Sequence, residues 1–274
     1  MTQSRKNRKT IALETLDFIE QGYYNDAEGK RVDLHTNVQY ALEHSKLYLP
    51  NESPQVVRED TFETKIEVLN CTSLEACHQL RGLNPMCLNF ASAKNPGGGF
   101  LGGSAAQEES LARSSALYPT LLRHQEYYNS NRAHGSCFYL DYMIYSPLVP
   151  VFRTDDGELL KEPELVSFLT APAVNTGVVL NKEPKREHEI PIVMAQRIDK
   201  VLSIALAQGH KHLVLGAWGC GVFRNDPVQI ANLFAEALNS DKFATGFESI
   251  IFAVLDRKEP MHRFEAFRSV FKTQ

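Results

Sequence analysis

The sequence predicts an α/β fold in which helices cover both faces of a mixed β-sheet. Two observations carry this prediction: strand-like and helix-like segments alternate from about residue 61 onward, and Gly-rich loops join a strand to a helix at two places. In folds of this kind, ligands bind beyond the carboxyl ends of the strands, where loops lead into helices. The two loops are therefore where we expect a functional site.

The chain has 274 residues, of which 43% are hydrophobic and 23% charged, and this suits one large domain with an appendage. Residues 23–59 are rich in turn signals and predict irregular structure, and the short basic run 4–9 predicts a solvated tail. We divide the chain into a mainly helical N-terminal extension, 1–60, packed on a main domain, 61–274. A helix is predicted over residues 10–21 from the apolar side chains on one of its sides, Ile11, Leu13, Leu16, Phe18 and Ile19.

In the main domain, apolar runs of strand length alternate with segments that carry helix signals. Thr72 with Glu75 forms a capping box, a helical apolar stripe ends at Gly209, and Asp226 followed by Pro227 marks a helix start. The predicted strands are 65–69, 86–91, 142–146, 165–170, 212–215 and 249–255. The predicted helices begin at 72 and cover about 105–123, 189–208, 227–239 and 260–272.

Charge and cysteine content argue against several classes of function. Lys and Arg number 29 against 33 Asp and Glu, and no long basic run suggests direct DNA binding. An anionic ligand would then be met by backbone donors and a few side chains. The five scattered cysteines do not suggest a disulfide framework, and no apolar stretch approaches the about 20 residues of a membrane span. With no signal peptide visible, we expect a cytoplasmic protein that does not associate with membranes.

The first Gly-rich loop follows the strand at 86–91 and contains Gly97, Gly98 and Gly99. Three consecutive glycines lose much conformational entropy on folding, so they suit a place where backbone approaches a ligand closely or takes a positive φ. Their free N–H groups, together with the next helix start, would form a nest for phosphate. Taken alone, the glycines fit a flexible surface turn better than a binding site. The loop is not a P-loop, because no Gly-Lys-Ser/Thr ends it.

An acidic pair opens the next helix in the run Gln107, Glu108 and Glu109. Structural roles are open to all three, since Ser104 with Gln107 fits a capping box and the carboxylates could favour the helix dipole or pair with Arg113. Beside a phosphate nest, the same carboxylates would lie under a ligand. The helix start lowers the pKa of a carboxyl, whereas a neighbouring carboxylate and burial under substrate raise it, as a general acid requires.

The second Gly-rich loop follows the strand at 212–215 and repeats the order of strand, glycines and helix start. Its pattern, G-x-x-G-x-G, does not match the dinucleotide fingerprint. Phe223 could stack on a sugar or base or plug the core, Trp218 could be core, and Cys220 suits the loop by its small size. Two such loops suggest a diphosphate held between them.

The spacing of the first loop and the acidic pair resembles a known signature. The glycine triplet is followed by seven residues, FLGGSAA, and then by QEE. This is similar to the GGG, spacer and QEE signature of the macrodomain-type poly(ADP-ribose) glycohydrolases, in particular their microbial form. The segments NFASAKNPGGG, YSPLVPVFR and TAPAVN also look like the microbial branch. The resemblance covers about residues 10–274 and implies a macrodomain-like three-layer fold.

The resemblance implies a role for each site residue. Glu109 would be the catalytic acid and base, and Glu108 would hold a ribose hydroxyl and position the scissile ribose. Asn95 would contact the distal ribose, and Phe223 would pack against the terminal ribose. The two loops would bracket the diphosphate, with Gly97, Gly98 and Gly99 on one side and Gly219, Cys220, Gly221 and Val222 on the other. Gln107 is expected among the substrate-binding residues.

The implied activity is hydrolysis of the ribose–ribose O-glycosidic bond of poly(ADP-ribose), with ADP-ribosylated protein as partner and ADP-ribose as product. Glu109 would protonate the leaving oxygen and then deprotonate the attacking water. The resemblance implies no metal or other cofactor. We expect a monomer, and we expect cleavage from chain ends if the N-terminal extension covers one side of the site.

Three alternatives share parts of this pattern. A macrodomain that only reads ADP-ribose needs the phosphate nest but not both glutamates. A mono-ADP-ribosyl-protein hydrolase would use the same nest with another leaving group. A metal-dependent hydrolase could use Cys71, Cys77 and His78, although their spacing around a helix start is a poor zinc pattern.

Overall fold

The computed structural model describes residues 3–52, 54–56 and 60–272. Its strands are β1 (Tyr23–Asn25), β2 (Arg31–Asp33), β3 (Lys46–Tyr48), β4 (Lys65–Leu69), β5 (Met86–Phe90), β6 (Met143–Arg153), β7 (Leu159–Ala171), β8 (His212–Leu215) and β9 (Ser249–Ala253). Its helices are α1 (Arg5–Gln21), α2 (His35–His44), α3 (Ser73–Gln79), α4 (Gln107–Ser114), α5 (Leu117–Leu122), α6 (Gln125–Ala133), α7 (Thr176–Lys182), α8 (Glu189–Ala207), α9 (Pro227–Leu238) and α10 (His262–Phe271). None of the described helices is long and apolar enough to cross a membrane.

The main sheet is mixed and has seven strands in the order β3-β6-β7-β5-β8-β9-β4. Strands β7, β5, β8, β9 and β4 run parallel to one another, whereas β6 is antiparallel to both β7 and β3. Parallel neighbours need crossover connections, and the alternation of strands with helices supplies them. The predicted mixed sheet is therefore confirmed, and the carboxyl ends of five parallel strands meet at one edge.

Helices cover both faces of this sheet, as predicted. Side chains alternate along each buried strand, so that on β8 Leu213 and Leu215 belong to one apolar core and Val214 to the other. The first core is completed by α8, α9 and α10, and the second by α2 to α6. Because both faces are buried, the strands are apolar almost throughout, and this is why the sequence shows them as short apolar runs.

The N-terminal region is more regular than the sequence predicted. Helix α1 starts at Arg5 and not near residue 10, because the Ser4 hydroxyl accepts a hydrogen bond from the Asn7 N–H at 3.2 Å and caps it. The basic run is thus a helical turn, and the prediction of a tail is wrong. The span expected to be irregular contains β1, β2, α2 and β3, and β3 pairs with β6 at one edge of the main sheet.

The division of the chain after residue 60 stays a prediction. Helix α1 packs against α4 and against the turn that follows the glycine triplet, so the extension reaches the loop that carries the predicted site. Residues 57–59, just before the division, lie outside the described residues.

The helix predicted over about 105–123 is interrupted. Helix α4 ends at Ser114, and Ser115 takes extended backbone and makes an isolated bridge with Val151 before α5 begins. The Ser115 hydroxyl bonds backbone groups on both sides of the break. It accepts from the Leu117 N–H at 3.2 Å and donates to the Leu111 carbonyl at 2.7 Å. Helices α6 and α7 were not predicted, because neither shows a clear apolar stripe.

Candidate active site

A cleft of about 950 Å³ lies at the carboxyl edge of the parallel strands, where both Gly-rich loops were expected to form a site. The predicted residues that line it are Asn95, Gln107, Glu108, Glu109, Gly219, Gly221, Val222 and Phe223. Gly97, Gly98, Gly99 and Cys220 are not among the described residues that line the cleft. The structure therefore brings residues of both loops and the acidic pair together, with the glycine triplet behind the residues that line the cleft.

Strands β5 and β8 separate toward their carboxyl ends, and this separation opens the sheet at the cleft. The two strands pair only at Met86 and Cys87. Beyond that point the Gln107 side chain takes the place of β8, because its Oε1 accepts from the Phe90 N–H at 2.8 Å and its Nε2 donates to the Leu88 carbonyl at 2.8 Å. Gln107 thus satisfies backbone groups of β5 that the sheet leaves open.

The amide of Gln107 also ties α4 to α3. Its Nε2 makes a second hydrogen bond, to the Ser73 hydroxyl, at 3.0 Å. The capping box considered for Ser104 and Gln107 is wrong, because Ala106 occupies the N-cap position and makes no side-chain cap. With Oε1 and Nε2 already engaged, Gln107 serves here as a support for the cleft wall.

The glycine triplet brings backbone against the acidic pair. Gly97 and Gly98 have φ of 65° and 59°, the left-handed region that disfavours other residues. A Cβ added at Gly98 would lie 2.5 Å from Glu109 Oε1 and 3.1 Å from Glu108 Oε2. The sequence left open whether the triplet is a flexible turn, and the structure gives it a specific reason: only glycine leaves room for both carboxylates.

The N–H groups of the first loop are donated within the protein in this structure. Gly98 donates to the Asn95 carbonyl at 3.0 Å, Gly99 donates to Glu109, and Ser92 donates to Glu108. Asn95 itself is exposed and lines the cleft. Two N–H groups of this loop, those of Ser92 and Gly99, are thus bonded to the protein's own carboxyl groups. Phosphate contacts of the triplet stay a prediction.

Glu109 presents one free carboxylate oxygen. Its Oε1 accepts from the Gly99 N–H at 3.0 Å, whereas its Oε2 is buried and has no hydrogen-bond partner among the described residues. Arg113 was considered as an ion-pair partner, but its guanidinium donates to the Ser104 carbonyl at 2.5 Å, and the described residues show no ion pair between Arg113 and Glu109. An oriented carboxyl with one unpaired oxygen at a cleft wall can donate or accept a proton.

Glu108 lies deeper than Glu109, with 3% of its surface exposed. Its Oε2 accepts from the Ser92 N–H at 2.7 Å, and its Oε1 lies 3.5 Å from Asn89 Nδ2. Burial raises the pKa of Glu108 to about 8, with the charge of Glu109 acting in the same direction and the Ser92 hydrogen bond opposing it. The pair therefore combines a deep, neutral carboxyl with a carboxyl at the cleft wall.

Polar groups without protein partners lie in the interior around the acidic pair. The hydroxyls of Tyr127 and Tyr128 and the Oδ1 of Asn89 are buried and unpartnered among the described residues. Burial raises the pKa of both tyrosines well above the usual range, and the charge of Glu108 contributes to each shift. These phenols stay protonated and can donate hydrogen bonds. Sequence reasoning missed them, because α6 carries no motif that would single them out.

The second loop is held in shape by one buried side chain, Asn225, which is 3% exposed. Its Nδ2 donates to the Val174 carbonyl at 2.8 Å and to the Gly219 carbonyl at 3.2 Å, and its Oδ1 accepts from the Thr176 hydroxyl at 2.8 Å. Gly219 has a φ of 74°, and a Cβ there would lie 2.6 Å from Ala173 Cβ. The sequence predicted this loop but not the asparagine that sets it.

Two aromatic rings meet across the cleft mouth. The Phe223 ring lies 6.0 Å from the Tyr139 ring, centroid to centroid, and both residues line the cleft. Tyr139 has a φ of 61°, and its backbone is held by the buried Arg197, which donates to the Phe138 carbonyl at 2.7 Å and the Tyr139 carbonyl at 3.0 Å. Phe223 therefore lines the cleft while it also packs against the first apolar core, and Tyr139 is a lining residue that the sequence did not predict.

The remaining candidates have structural roles. Trp218 is fully buried and donates to the Ala171 carbonyl at 3.2 Å, which makes it a core residue. Burial raises the pKa of the Cys220 thiol to about 12, so it is not an activated nucleophile. Cys71, Cys77 and His78 form no metal cluster, since no group of three or more His, Cys, Asp or Glu suited to a metal occurs in the described part of the chain.

Comparison with known proteins matches this geometry to one family. The family model of the microbial-type poly(ADP-ribose) glycohydrolase catalytic domain matches residues 12–154. Crystal structures of poly(ADP-ribose) glycohydrolase from Thermomonospora curvata, including one bound to the inhibitor ADP-HPD, are 42% identical; the match covers 97% of this chain and 100% of theirs, with a TM-score of 0.91. The enzyme from Deinococcus radiodurans in complex with ADP-ribose is 38% identical, over 86% of this chain and 97% of its own, with a TM-score of 0.80. A search of curated proteins found no match.

The raised pKa of Glu108 predicts a pH-dependent stability. The folded state holds the proton up to about pH 8, whereas the unfolded chain loses it near the ordinary glutamate pKa of 4.5. Relative to Glu108→Gln, the wild type should therefore lose stability as the pH rises from 4.5 to 8. The unfolding free energy of the variant minus that of the wild type should therefore increase by roughly 1 to 4 kcal/mol between pH 4.5 and pH 8. Chemical denaturation at both pH values measures it.

Glu236→Gln is the matched control for this measurement, because Glu236 is exposed on α9 and its removal should leave the pH dependence unchanged. A stability difference between Glu108→Gln and wild type that stays constant from pH 4.5 to 8 would contradict the raised pKa.

Proposed function

The chain belongs to the microbial-type poly(ADP-ribose) glycohydrolase family, and from that premise we propose that it hydrolyses the ribose–ribose O-glycosidic bonds of poly(ADP-ribose) and releases ADP-ribose. The observation that carries this proposal is the free Oε2 of Glu109. Glu109 lines a cleft that residues of both Gly-rich loops also line, and its unpartnered Oε2 is buried just behind that wall, beside the second carboxyl of Glu108. A protein that only binds ADP-ribose needs the cleft but not this pair.

Glu109 supplies the proton transfers. The Gly99 N–H holds its Oε1, which leaves Oε2 as the atom that donates a proton to the leaving 2′-oxygen of the next unit. Cleavage of the glycosidic bond leaves positive charge on the scissile ribose, as in other glycoside hydrolyses. The same oxygen, now ionised, then accepts a proton from the attacking water, and the ribose gains the hydroxyl.

Glu108 positions the scissile ribose. Its carboxyl is fixed by the Ser92 N–H and stays protonated up to a pKa of about 8, which burial raises. A neutral carboxyl can both donate and accept a hydrogen bond to a ribose hydroxyl. It also avoids placing two negative charges side by side when the anionic substrate closes over the pair. Each of the two glutamates therefore has a distinct role.

The rest of the cleft fits the remainder of an ADP-ribose unit in a macrodomain-type arrangement. Asn95 contacts the distal ribose, and the Phe223 ring, braced by Tyr139, packs against the terminal ribose. The diphosphate lies between the first loop and the second loop, whose exposed tip is Val222. Gln107 supports the cleft wall through its hydrogen bonds to β5 and α3. The proposed reaction uses no cofactor.

We infer a cytoplasmic location from the cysteine usage, and all five cysteines are free. Cleavage from chain ends, a monomeric state and the lack of direct DNA binding stay the predictions made from the sequence. ADP-ribosylated protein is the expected partner.

Replacing the proposed acid tests the function directly. Glu109→Gln keeps an acceptor for the Gly99 N–H but cannot transfer the proton, so we expect kcat for ADP-ribose release to fall roughly 100- to 10,000-fold. The affinity for free ADP-ribose, measured by calorimetry, should change by less than about threefold, because the variant leaves both Gly-rich loops intact. Release is measured from poly(ADP-ribosyl)ated protein by separation of the products, with Glu236→Gln as the control.

Each result has a clear meaning. Near-normal turnover by folded Glu109→Gln would overturn the mechanism. If the wild-type protein binds ADP-ribose but releases none from the polymer, the protein is a binding module and not a hydrolase. Release from mono-ADP-ribosylated protein alone would show a hydrolase with another leaving group.

Gly98 provides a second test, of the loop geometry. Gly98→Ala places a methyl group against Glu109 Oε1, at a position where an unrelaxed Cβ would lie 2.5 Å away. We expect kcat to fall by about a hundredfold or more, because the carboxyl must move. The left-handed backbone should add about 1 to 2 kcal/mol of destabilisation, measured by chemical denaturation.

Gly82→Ala is the matched control for the backbone strain. Gly82 also has a positive φ, of 81°, but a Cβ there would meet nothing within 4 Å. It should lose a similar amount of stability and keep its activity. Equal activity in the two variants would contradict the proposed contact between Gly98 and Glu109.

A further inference from the structure

The basic run at 4–9 forms the first turn of α1 and meets the loop that carries the glycine triplet. Arg5 Nε donates to the Gly102 carbonyl at 3.0 Å, and Arg8 Nε donates to the Gly103 carbonyl at 2.8 Å. Arg5 and Arg8 are three residues apart, so both lie on the same face of the helix. The contact therefore follows from helical spacing once Ser4 caps α1.

A third arginine completes the set from the other side of the loop. Arg113, on α4, is 7% exposed and donates to the Ser104 carbonyl at 2.5 Å. Three consecutive carbonyls, those of 102, 103 and 104, thus each accept a hydrogen bond from a guanidinium. Thr15 on α1 joins the two helices by donating to the Arg113 carbonyl at 2.6 Å. We call Arg5, Arg8 and Arg113 the arginine clamp.

The clamped turn lies between the two parts of the proposed active site. It connects Gly99, whose N–H holds Glu109 Oε1, to the start of α4, which carries Glu109 itself. The turn folds back on Gly99, whose carbonyl accepts from the N–H groups of Gly102 and Ser104 at 3.0 and 3.2 Å. Any movement of this turn would change the distance between the Gly99 N–H and the Glu109 carboxyl.

Close packing leaves the turn no room to shift toward α1. Gly103 has a φ of 77°, and a Cβ there would lie 2.3 Å from the Arg5 carbonyl oxygen. The Arg8 guanidinium also bonds the Gln3 carbonyl, so that it spans the start of α1 and the turn. Both Gln3 and Arg8 line the same cleft as the acidic pair.

The charges of this helical turn are unfavourable without the loop. The first turn of α1 carries basic and no acidic residues, although the positive end of the helix dipole favours the opposite. Burial and the charge of Arg8 also lower the pKa of Arg113, while Glu109 and Asp155 act in the opposite direction, so Arg8 and Arg113 repel each other. Partial negative charge on the three carbonyl oxygens offsets both effects. The three arginines are therefore favourable at these positions only because the loop is there.

We propose that Arg5 and Arg8 are positioning residues for catalysis, which hold the turn at 102–104 so that Gly99 and Glu109 stay in register. The inference rests on the proposed function, since it assigns these residues to the same proton transfer. The N-terminal helix is then part of the site, and Arg5 and Arg8 act on Glu109 through the loop at 102–104.

The test compares Arg5→Gln/Arg8→Gln with Lys6→Gln/Lys9→Gln. Lys6 and Lys9 lie on the same turn and are exposed, so the control removes the same charge without the loop contacts. We expect the arginine variant to lose about tenfold to a hundredfold in kcat for ADP-ribose release, as for a small misplacement of a catalytic group. Its affinity for free ADP-ribose and its melting temperature should match the lysine control.

Amide hydrogen exchange gives a readout that does not depend on activity. The N–H groups of 102, 103 and 104 are bonded within the turn and should exchange at least about tenfold faster in the arginine variant, since local opening sets their protection. The exchange rates of Arg8→Lys should fall between those of wild type and Arg8→Gln. A lysine ammonium cannot reproduce the two directed bonds of the Arg8 guanidinium to the Gly103 and Gln3 carbonyls.

Two results would overturn the proposal: equal kcat and exchange in the arginine variant and the lysine control, or a loss of activity that only follows a loss of folded protein. An inactive wild type would instead refute the proposed function, and the exchange comparison would still decide whether the clamp holds the turn.

Discussion

The site depends on one contact, between the backbone of the glycine triplet and the carboxylates that follow it. Because Gly98 has no side chain, Glu109 and Glu108 can lie against the loop instead of extending into solvent. The Gly99 N–H then fixes one oxygen of Glu109 and leaves the other free. A residue with a Cβ at this point would push the Glu109 carboxyl away from the loop, so the loop and the proposed proton donor form one unit.

The run of Gln107, Glu108 and Glu109 shows how a helix distributes three adjacent side chains. Successive residues of a helix point about 100° apart, so each of the three meets a different structure. Gln107 replaces a missing strand beside β5, Glu108 enters the interior toward Ser92, and Glu109 turns to the loop at Gly99. The helix start that places Gln107 beside β5, where β8 has diverged, therefore also places Glu109 at the cleft between these strands.

Much of this could be predicted from sequence, since the alternation of strands and helices and caps such as that at Thr72 are local signals. Both loops and the acidic pair were found because their chemistry lies in contiguous residues. Asn225 and Tyr139 were not found, because their roles arise only when distant segments meet. The raised pKa of Glu108 likewise depends on burial, which spacing alone does not reveal.

The error at the N-terminus is informative for the same reason. A cluster of basic residues near a chain start reads as a solvated tail, because a helix start disfavours positive charge. Arg5 and Arg8 break that local rule, and their partners are carbonyls about a hundred residues away. Local rules are broken most often where a site demands it. The predicted extension, 1–60, thus contacts the loop that carries the glycine triplet, and under our proposal these contacts help to set the position of Glu109.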